Sequence, residues 1–167
     1  WYDGWWPFNA DGWQGEKMNA MLREVQSDLL FNGRNCLPGD FGTPEQHLTA
    51  PSPWRPWEAC VTLNDHWGYH AHDNNWKSPV DVINMLLSCG SERGNLLLNI
   101  GPCGDGSVRP IDKAYLDLIG QWVSYFDEAI RKPRPCDIPV TSQSDDFLLK
   151  DGNTYYLFFH GSKMMGD

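Results

Sequence analysis

The stretch GNLLLNIGPCGDG, residues 94–106, decides how this chain is read. Its first part, NLLLNIGP (95–102), is nearly all apolar, as a strand buried on both faces should be. The glycines of GPCGDG (101–106) suit a tight turn. The run lacks the Lys-Ser/Thr of a P-loop, so it reads as a turn leading into a helix and not as a phosphate cradle. That helix is IDKAYLDLIGQWVSYFDEAI (111–130), with Tyr115, Leu118, Ile119, Trp122 and Phe126 on one stripe. Strand, turn and helix in this order form one β/α unit.

Upstream the same grammar repeats. WYDG (1–4) reads as the end of a strand. GEKMNAMLREVQ (15–26) places Met18, Met21, Leu22 and Val25 at helical spacing. LLFNGR (29–34) is a short strand, and a loop rich in Pro, Gly and Thr runs from Asn35 to Pro56. WEACVTLN (57–64) is a strand. SPVDVINMLLSCG (78–90) is a helix with Ser78 as N-cap, Pro79 at the first helical position and Asp81 at the third. Such alternation implies parallel β/α units. After Lys132-Pro-Arg-Pro the character changes. DDFLLKDGNTYYLFFHG (145–161) is two β-rich runs around Asp151-Gly152, a hairpin signature. A boundary near residue 135 therefore separates an α/β part, 1–135, from the start of a β-rich part, 136–167.

The 167 residues suffice for one ordinary domain with a core. No apolar run is long enough to cross a membrane as a helix. A net charge of −9 argues against nucleic acid or an anionic membrane surface as partner. Nine tryptophans, and 13% aromatic residues, suit sugar stacking as well as a large aromatic core. Cys36, Cys60, Cys89, Cys103 and Cys136 are widely spaced and form no C-x-x-C, so they read mostly as buried thiols, with a disulfide open in a secreted parent protein.

In parallel β/α folds the chemistry gathers at the C-terminal ends of strands. Asp3 ends the first strand and Arg34 the second. Glu45 lies in the loop that follows. Asn64, Asp65, His66 and Trp67 follow the third strand, and Asn99 ends the fourth. Two acids and an arginine among aromatics fit glycoside hydrolysis, which needs one carboxylate as nucleophile and one protonated acid. His66, His70, His72 and Asp73 are spaced irregularly for a metal and read as a solvated or substrate-facing loop.

Asp3 in WYDG, Arg34 in FNGR, Glu45 in GDFGTPEQ, the run PWEACVTLNDHWGY and above all GNLLLNIGPCGDG resemble the retaining α-L-fucosidases of glycoside hydrolase family 29. The likeness runs from residue 1 to about 131. It implies a (β/α)8-like barrel of the TIM type, of which this is the C-terminal half, followed by the start of a β-sandwich. It also implies removal of terminal α-L-fucose from a glycan by double displacement, with no metal and no cofactor, and an extracellular, periplasmic or lysosomal parent protein. Carried over by position, Asp3 is the nucleophile, Arg34 contacts the sugar and orients Asp3, and Trp67 packs against the fucose. The flanking aromatics of WYDGWW are expected to keep water from Asp3.

For the acid/base the candidates are Glu45 and Glu58, with Asp40 and Asp65 behind them. Glu58 stands near the start of its strand, roughly 20 Å from the mouth at about 3.3 Å per residue, and reads as structural. Glu45, in a mobile mouth loop, is preferred.

A closed barrel of this type takes about 250 residues. The resemblance places several fucose contacts upstream of Trp1, so the remainder of the catalytic domain is expected to precede this segment. Alone, such a half would expose strand edges, and the expectation is that the isolated chain neither folds stably nor turns over substrate. Homo-oligomer formation stays open. So do two other functions: a fucose-binding module without catalysis, and a relative acting on another sugar such as α-L-galactose.

Overall fold

The computed structural model describes residues 1–4, 7–136, 138, 140 and 146–159. Two short helices come first, α1 (Ala10–Trp13) and α2 (Gly15–Val25). Asn9 caps α1 through its Oδ1, which accepts from Gly12 N at 2.8 Å, and Gln14 at φ 49° turns the chain from one helix into the other. The strands β1 (Glu58–Thr62) and β2 (Asn95–Asn99) pair in parallel, in register from Glu58↔Asn95 to Thr62↔Asn99. A parallel pair needs a crossover, and α3 (Pro79–Ser91) supplies it. Its start is the expected one: Ser78 and Asp81 form a reciprocal capping box, and Pro79 opens the helix. The helices α4 (Pro110–Tyr125) and α5 (Asp127–Ile130) follow, with α4 packed on α3.

The loop expected from Asn35 to Pro56 contains a strand-like strip. Backbone bridges join Asn32 to Phe41, Gly42 to Trp57 and Glu45 to Cys60, all parallel. Cys60 N donates to Pro44 O at 2.9 Å, and Gln46 N donates to Cys60 O at 2.8 Å. Residues 31–32, the strip 41–46, β1 and β2 thus lie side by side in chain order. The expected strands at WYDG and LLFNGR shrink to an extended segment and a single bridge.

On the helix side of the sheet, Trp57, Ala59 and Cys89 form the buried core, with Leu48, Ala50 and Leu96 against it. Gly94 must be glycine, because a Cβ there would strike the Trp57 indole. The other face is open: Leu97 is 38% exposed, so β2 is not buried on both faces as its composition suggests. The helical stripes are half covered too. Met21 and Val25 on α2 and Leu118 on α4 are exposed, since nothing among the described residues packs over them.

A separate antiparallel sheet is built from β3 (Arg134–Pro135), β4 (Phe147–Asp151) and β5 (Thr154–Phe158). Its hairpin turns on Gly152 and Asn153, one residue later than the Asp-Gly reading, with Gly152 at φ +55°. All five cysteines are free; Cys60 and Cys89 are buried and Cys36 is exposed, so only part of the set consists of buried thiols. Trp57 is core and Trp54 half exposed, while Trp5 and Trp6 lie outside the described residues.

Candidate active site

The segment carrying Asp3 is held by a side chain that imitates a strand. Asn32 Oδ1 accepts from Tyr2 N at 3.1 Å, and Asn32 Nδ2 donates to Tyr2 O at 3.0 Å. Asn32 is 1% exposed, so neither of these bonds competes freely with water. Tyr2 turns inward, against Trp13 and Phe31, and its hydroxyl donates to Asn19 Oδ1. In extended chain, neighbours point to opposite faces. Trp1 and Asp3 therefore share the outer face, and Gly4 follows at φ 73°. Among the described residues the aromatics do not enclose Asp3 as the WYDGWW pattern suggests: its side chain is 66% exposed, and the buried Tyr2 ring beside it belongs to the opposite face.

Arg34 is the centre of the site. Its Nη1 donates to Asp3 Oδ1 at 3.1 Å, its Nη2 to Glu45 Oε2 at 2.8 Å and its Nε to Thr43 Oγ1 at 3.2 Å. The guanidinium also lies 5.5 Å from the Trp1 ring centroid. Burial alone would lower the Arg34 pKa, but the bonds to Glu45 and Asp3 outweigh it and raise the value. A single fork thus fixes two carboxylates that arrive from different strips. Around it opens a cleft of ≈ 460 Å³ lined by Trp1, Asp3, Arg34, Glu45, Cys60, Trp67, Leu97 and Asn99. Asp3, Arg34, Glu45 and Trp67, the residues singled out in the sequence, all line this one cleft.

Glu45 does not ride on a mobile loop. Its backbone bridges to Cys60, and the next side chain, Gln46, bonds to Thr62 through both its amide oxygen and its amide nitrogen. The cleft is also deeper than a site at the strand ends alone. The cleft reaches down to Cys60, so Glu58 begins only two residues, about 7 Å, below its floor. Glu58 nevertheless does not line the cleft, and among the described residues its carboxyl has no hydrogen-bond partner. Burial pushes that carboxyl up. Its titration suits an acid and its position does not; reach to the scissile oxygen is the prior requirement.

Trp67 stands on the loop after β1, which one buried carboxylate organises. Asp73 Oδ2 accepts from Asn64 Nδ2 at 2.7 Å and Asp65 N at 3.0 Å, and lies 2.8 Å from His66 Nδ1. Its Oδ1 accepts from Asn75 N at 3.1 Å. The His66 contact, helped by these backbone donors, holds the Asp73 pKa down at about 2 against the opposing effect of burial. The His66 and His70 rings stack at 4.2 Å, so the histidines of this loop pair with Asp73 and each other. Cys60, Leu97 and Thr43 were missed in the sequence. The signal was strand position: Cys60 and Leu97 are register partners in β1 and β2, and Thr43 stands two residues before Glu45 on the strip.

Parallel strips thus bring an arginine-bridged pair of carboxylates to one cleft that also holds Trp1 and Trp67. The sequence profile of the alpha-L-fucosidase family matches residues 1–128, and the chain belongs to that family of glycoside hydrolases. It is 29% identical to the tissue alpha-L-fucosidase of Rattus norvegicus over 175 aligned residues, which take in 96% of this chain and 38% of the rat protein. Among solved structures, alpha-L-fucosidase isoenzyme 1 from Paenibacillus thiaminolyticus superposes with a TM-score of 0.79 at 30% identity, over 93% of this chain and 39% of that one. The GH29 alpha-L-fucosidase of Bacteroides thetaiotaomicron, solved as a covalent intermediate trapped with 2-fluoro-fucosyl fluoride in a Glu→Gln variant, gives 0.66 at 28% identity, over 74% of this chain and 33% of that one. The chain thus spans about two-fifths of the length of the relatives it matches.

Proposed function

We propose that this chain carries the nucleophile and the acid/base of a retaining exo-glycosidase that releases terminal α-L-fucose from a fucosylated glycan. The observation that carries the reading is the Arg34 fork, which presents Asp3 and Glu45 to one cleft. The Asp3 carboxylate attacks the anomeric carbon as Glu45 gives its proton to the departing glycosidic oxygen. A fucosyl ester on Asp3 results. Glu45, now a carboxylate, takes a proton from water; the water oxygen attacks the same carbon, and Asp3 leaves. Two inversions return the original configuration. Arg34, whose side chain is 15% exposed, holds both carboxylates in place between the steps. The trapped covalent intermediate of the Bacteroides relative, obtained with a Glu→Gln variant, supports both the ester and a glutamate partner. Trp67 supplies an apolar wall for a 6-deoxy sugar.

Residues 1–135 are read as the C-terminal half of a (β/α)8-like barrel, supported by the parallel strips in chain order, and 136–167 as the start of a β-sandwich, supported by the separate antiparallel sheet. The relatives' greater length supports a catalytic domain completed by other residues.

The test is Asp3→Asn and Asp3→Gly in the complete protein, assayed on an aryl α-L-fucoside. Asp3→Asn abolishes release, and azide rescues Asp3→Gly to give the β-fucosyl azide. Near-normal turnover by Asp3→Asn would refute the assignment.

A further inference from the structure

We infer that Asn99 and Gly101 are positioning residues for Trp67, setting from the end of β2 where the loop after β1 stands; the inference rests on the reading of Trp67 as a sugar-facing wall. Asn99 is the last residue of β2, in register with Thr62, and it lines the cleft. Its Nδ2 donates to Trp67 O at 2.7 Å. Water could satisfy that carbonyl equally well on so exposed a loop. The bond therefore contributes placement more than stability.

Gly101 makes the second contact, two residues on. A Cβ built there would lie 2.5 Å from Gly68 C, 2.6 Å from Gly68 O and 2.7 Å from Tyr69 N. No side chain fits. The two backbones touch only because residue 101 has none. Carbonyl 67, peptide 68 and amide 69 are thus fixed from one side, over three consecutive residues. Further along the loop, the Arg109 guanidinium lies over the rings of Tyr69 and Trp76, 5.9 Å and 5.0 Å from their centroids. Asp112, buried at the start of α4, accepts from Arg109 Nε at 2.8 Å and from Trp76 Nε1 at 2.7 Å. The Trp67 ring, 41% exposed, is consequently presented by a loop held at residues 67–69 and again at Trp76. An aromatic wall serves a sugar only when its plane and height are right, and small displacements of a positioning group are costly.

The experiment uses the complete protein with a 4-nitrophenyl α-L-fucoside, and compares Asn99→Ala, Trp67→Ala, the double variant and Gly101→Ala. Asn99→Ala is expected to raise KM about tenfold with kcat changed less than about threefold, the split of a lost binding surface. In the Trp67→Ala background the same change should alter KM less than about twofold, because the two act through one ring. Gly101→Ala, with the Asn99 amide intact, should reproduce the KM-dominated loss. Amide exchange at Asp65 and Asp73 should rise in Asn99→Ala and Gly101→Ala alike. Effects of Asn99→Ala and Trp67→Ala that multiply would overturn the inference. So would wild-type KM in both Asn99→Ala and Gly101→Ala, or exchange that neither variant alters. A Trp67→Ala protein with wild-type KM removes the wall itself, whereas unchanged exchange removes only the latch; the two failures are read separately.

Discussion

Exchanging Glu45 and Glu58 for glutamine, one at a time, separates the two candidates for the acid/base. Glu45 touches Arg34 at 2.8 Å and lines the cleft; Glu58 starts about 7 Å further down its strand and does not. A proton donor must come within about 2.6–3.2 Å of the oxygen it serves, or act through one water. General acid–base catalysis contributes about 10²–10⁴ in rate. At about 1.36 kcal/mol per decade this is roughly 2.7–5.4 kcal/mol of barrier, and the Glu45 variant should lose it on substrates with poor leaving groups. With a dinitrophenyl leaving group, departure needs no proton, so the first step survives. The second step then lacks its base, and the fucosyl ester accumulates. The assay is rapid-quench detection of a dinitrophenolate burst, followed by added azide. Azide needs no base, so turnover returns and the product is the α-fucosyl azide, of retained configuration. Glu58→Gln should keep kcat within about tenfold and show neither burst nor azide product. The reasoning fails if Glu58→Gln gives the burst and the α-azide while Glu45→Gln turns over a poor leaving group at the normal rate.

Other outcomes follow from single contacts. Asp73, held at about 2 instead of its ordinary 3.8, binds a proton less well folded than unfolded; its contribution to stability is complete above about pH 4 and is lost as pH falls toward 2. Urea midpoints at pH 5 and pH 3 should therefore diverge, and Asp73→Asn should reduce the difference. Burial, aided by the nearby Glu92 charge, pushes the Cys89 thiol up to about 12, while Cys36 is exposed. At pH 8 a chromogenic disulfide should label Cys36 in the native protein and Cys89 only after unfolding; rapid native labelling of Cys89 would contradict its placement. Asp112→Ala strands the Arg109 guanidinium, whose side chain is 11% exposed, and the Trp76 Nε1. A loss of about 3–5 kcal/mol in denaturant unfolding is expected, and a change below about 1 kcal/mol would refute the clamp.

Where composition and backbone demand agree, the chain was legible. Ser78-Pro79 started a helix because cap and ring suit orphan N–H groups, and the apolar run after Gly94 made a parallel partner for β1. The strip 41–46 was not legible, for a physical reason. FGTPEQ carries the glycine and proline of a loop, yet its pairing uses only backbone groups that these residues retain. Pro44 gives its carbonyl to Cys60 N and is never asked for an N–H; Gly42 donates to Pro56 O and accepts from Glu58 N. Exposure failed in the opposite sense. An apolar pattern states which face wants covering, and Leu97 and Leu118 show that wanting and having differ.

The strip also supports proposing Glu45 over Glu58 as the acid. Phe41, Thr43 and Glu45 lie on one face of it, and Thr43 Oγ1 accepts from the same guanidinium that binds Glu45. One extended segment therefore supplies the proposed acid and a separate anchor for the arginine, two residues apart. In extended chain a slip of one residue exchanges the faces. It would bring Gln46 to the cleft and send Glu45 to the helix side. The bridges at Gly42 and Glu45 oppose that slip from both ends, and the Gln46–Thr62 bonds add an anchor next to Glu45. A mobile loop would leave the acid to find its place in each cycle. Pairing with β1 sets the place of Glu45 before any ligand arrives, and such preorganisation suits the proposed roles of the two carboxylates.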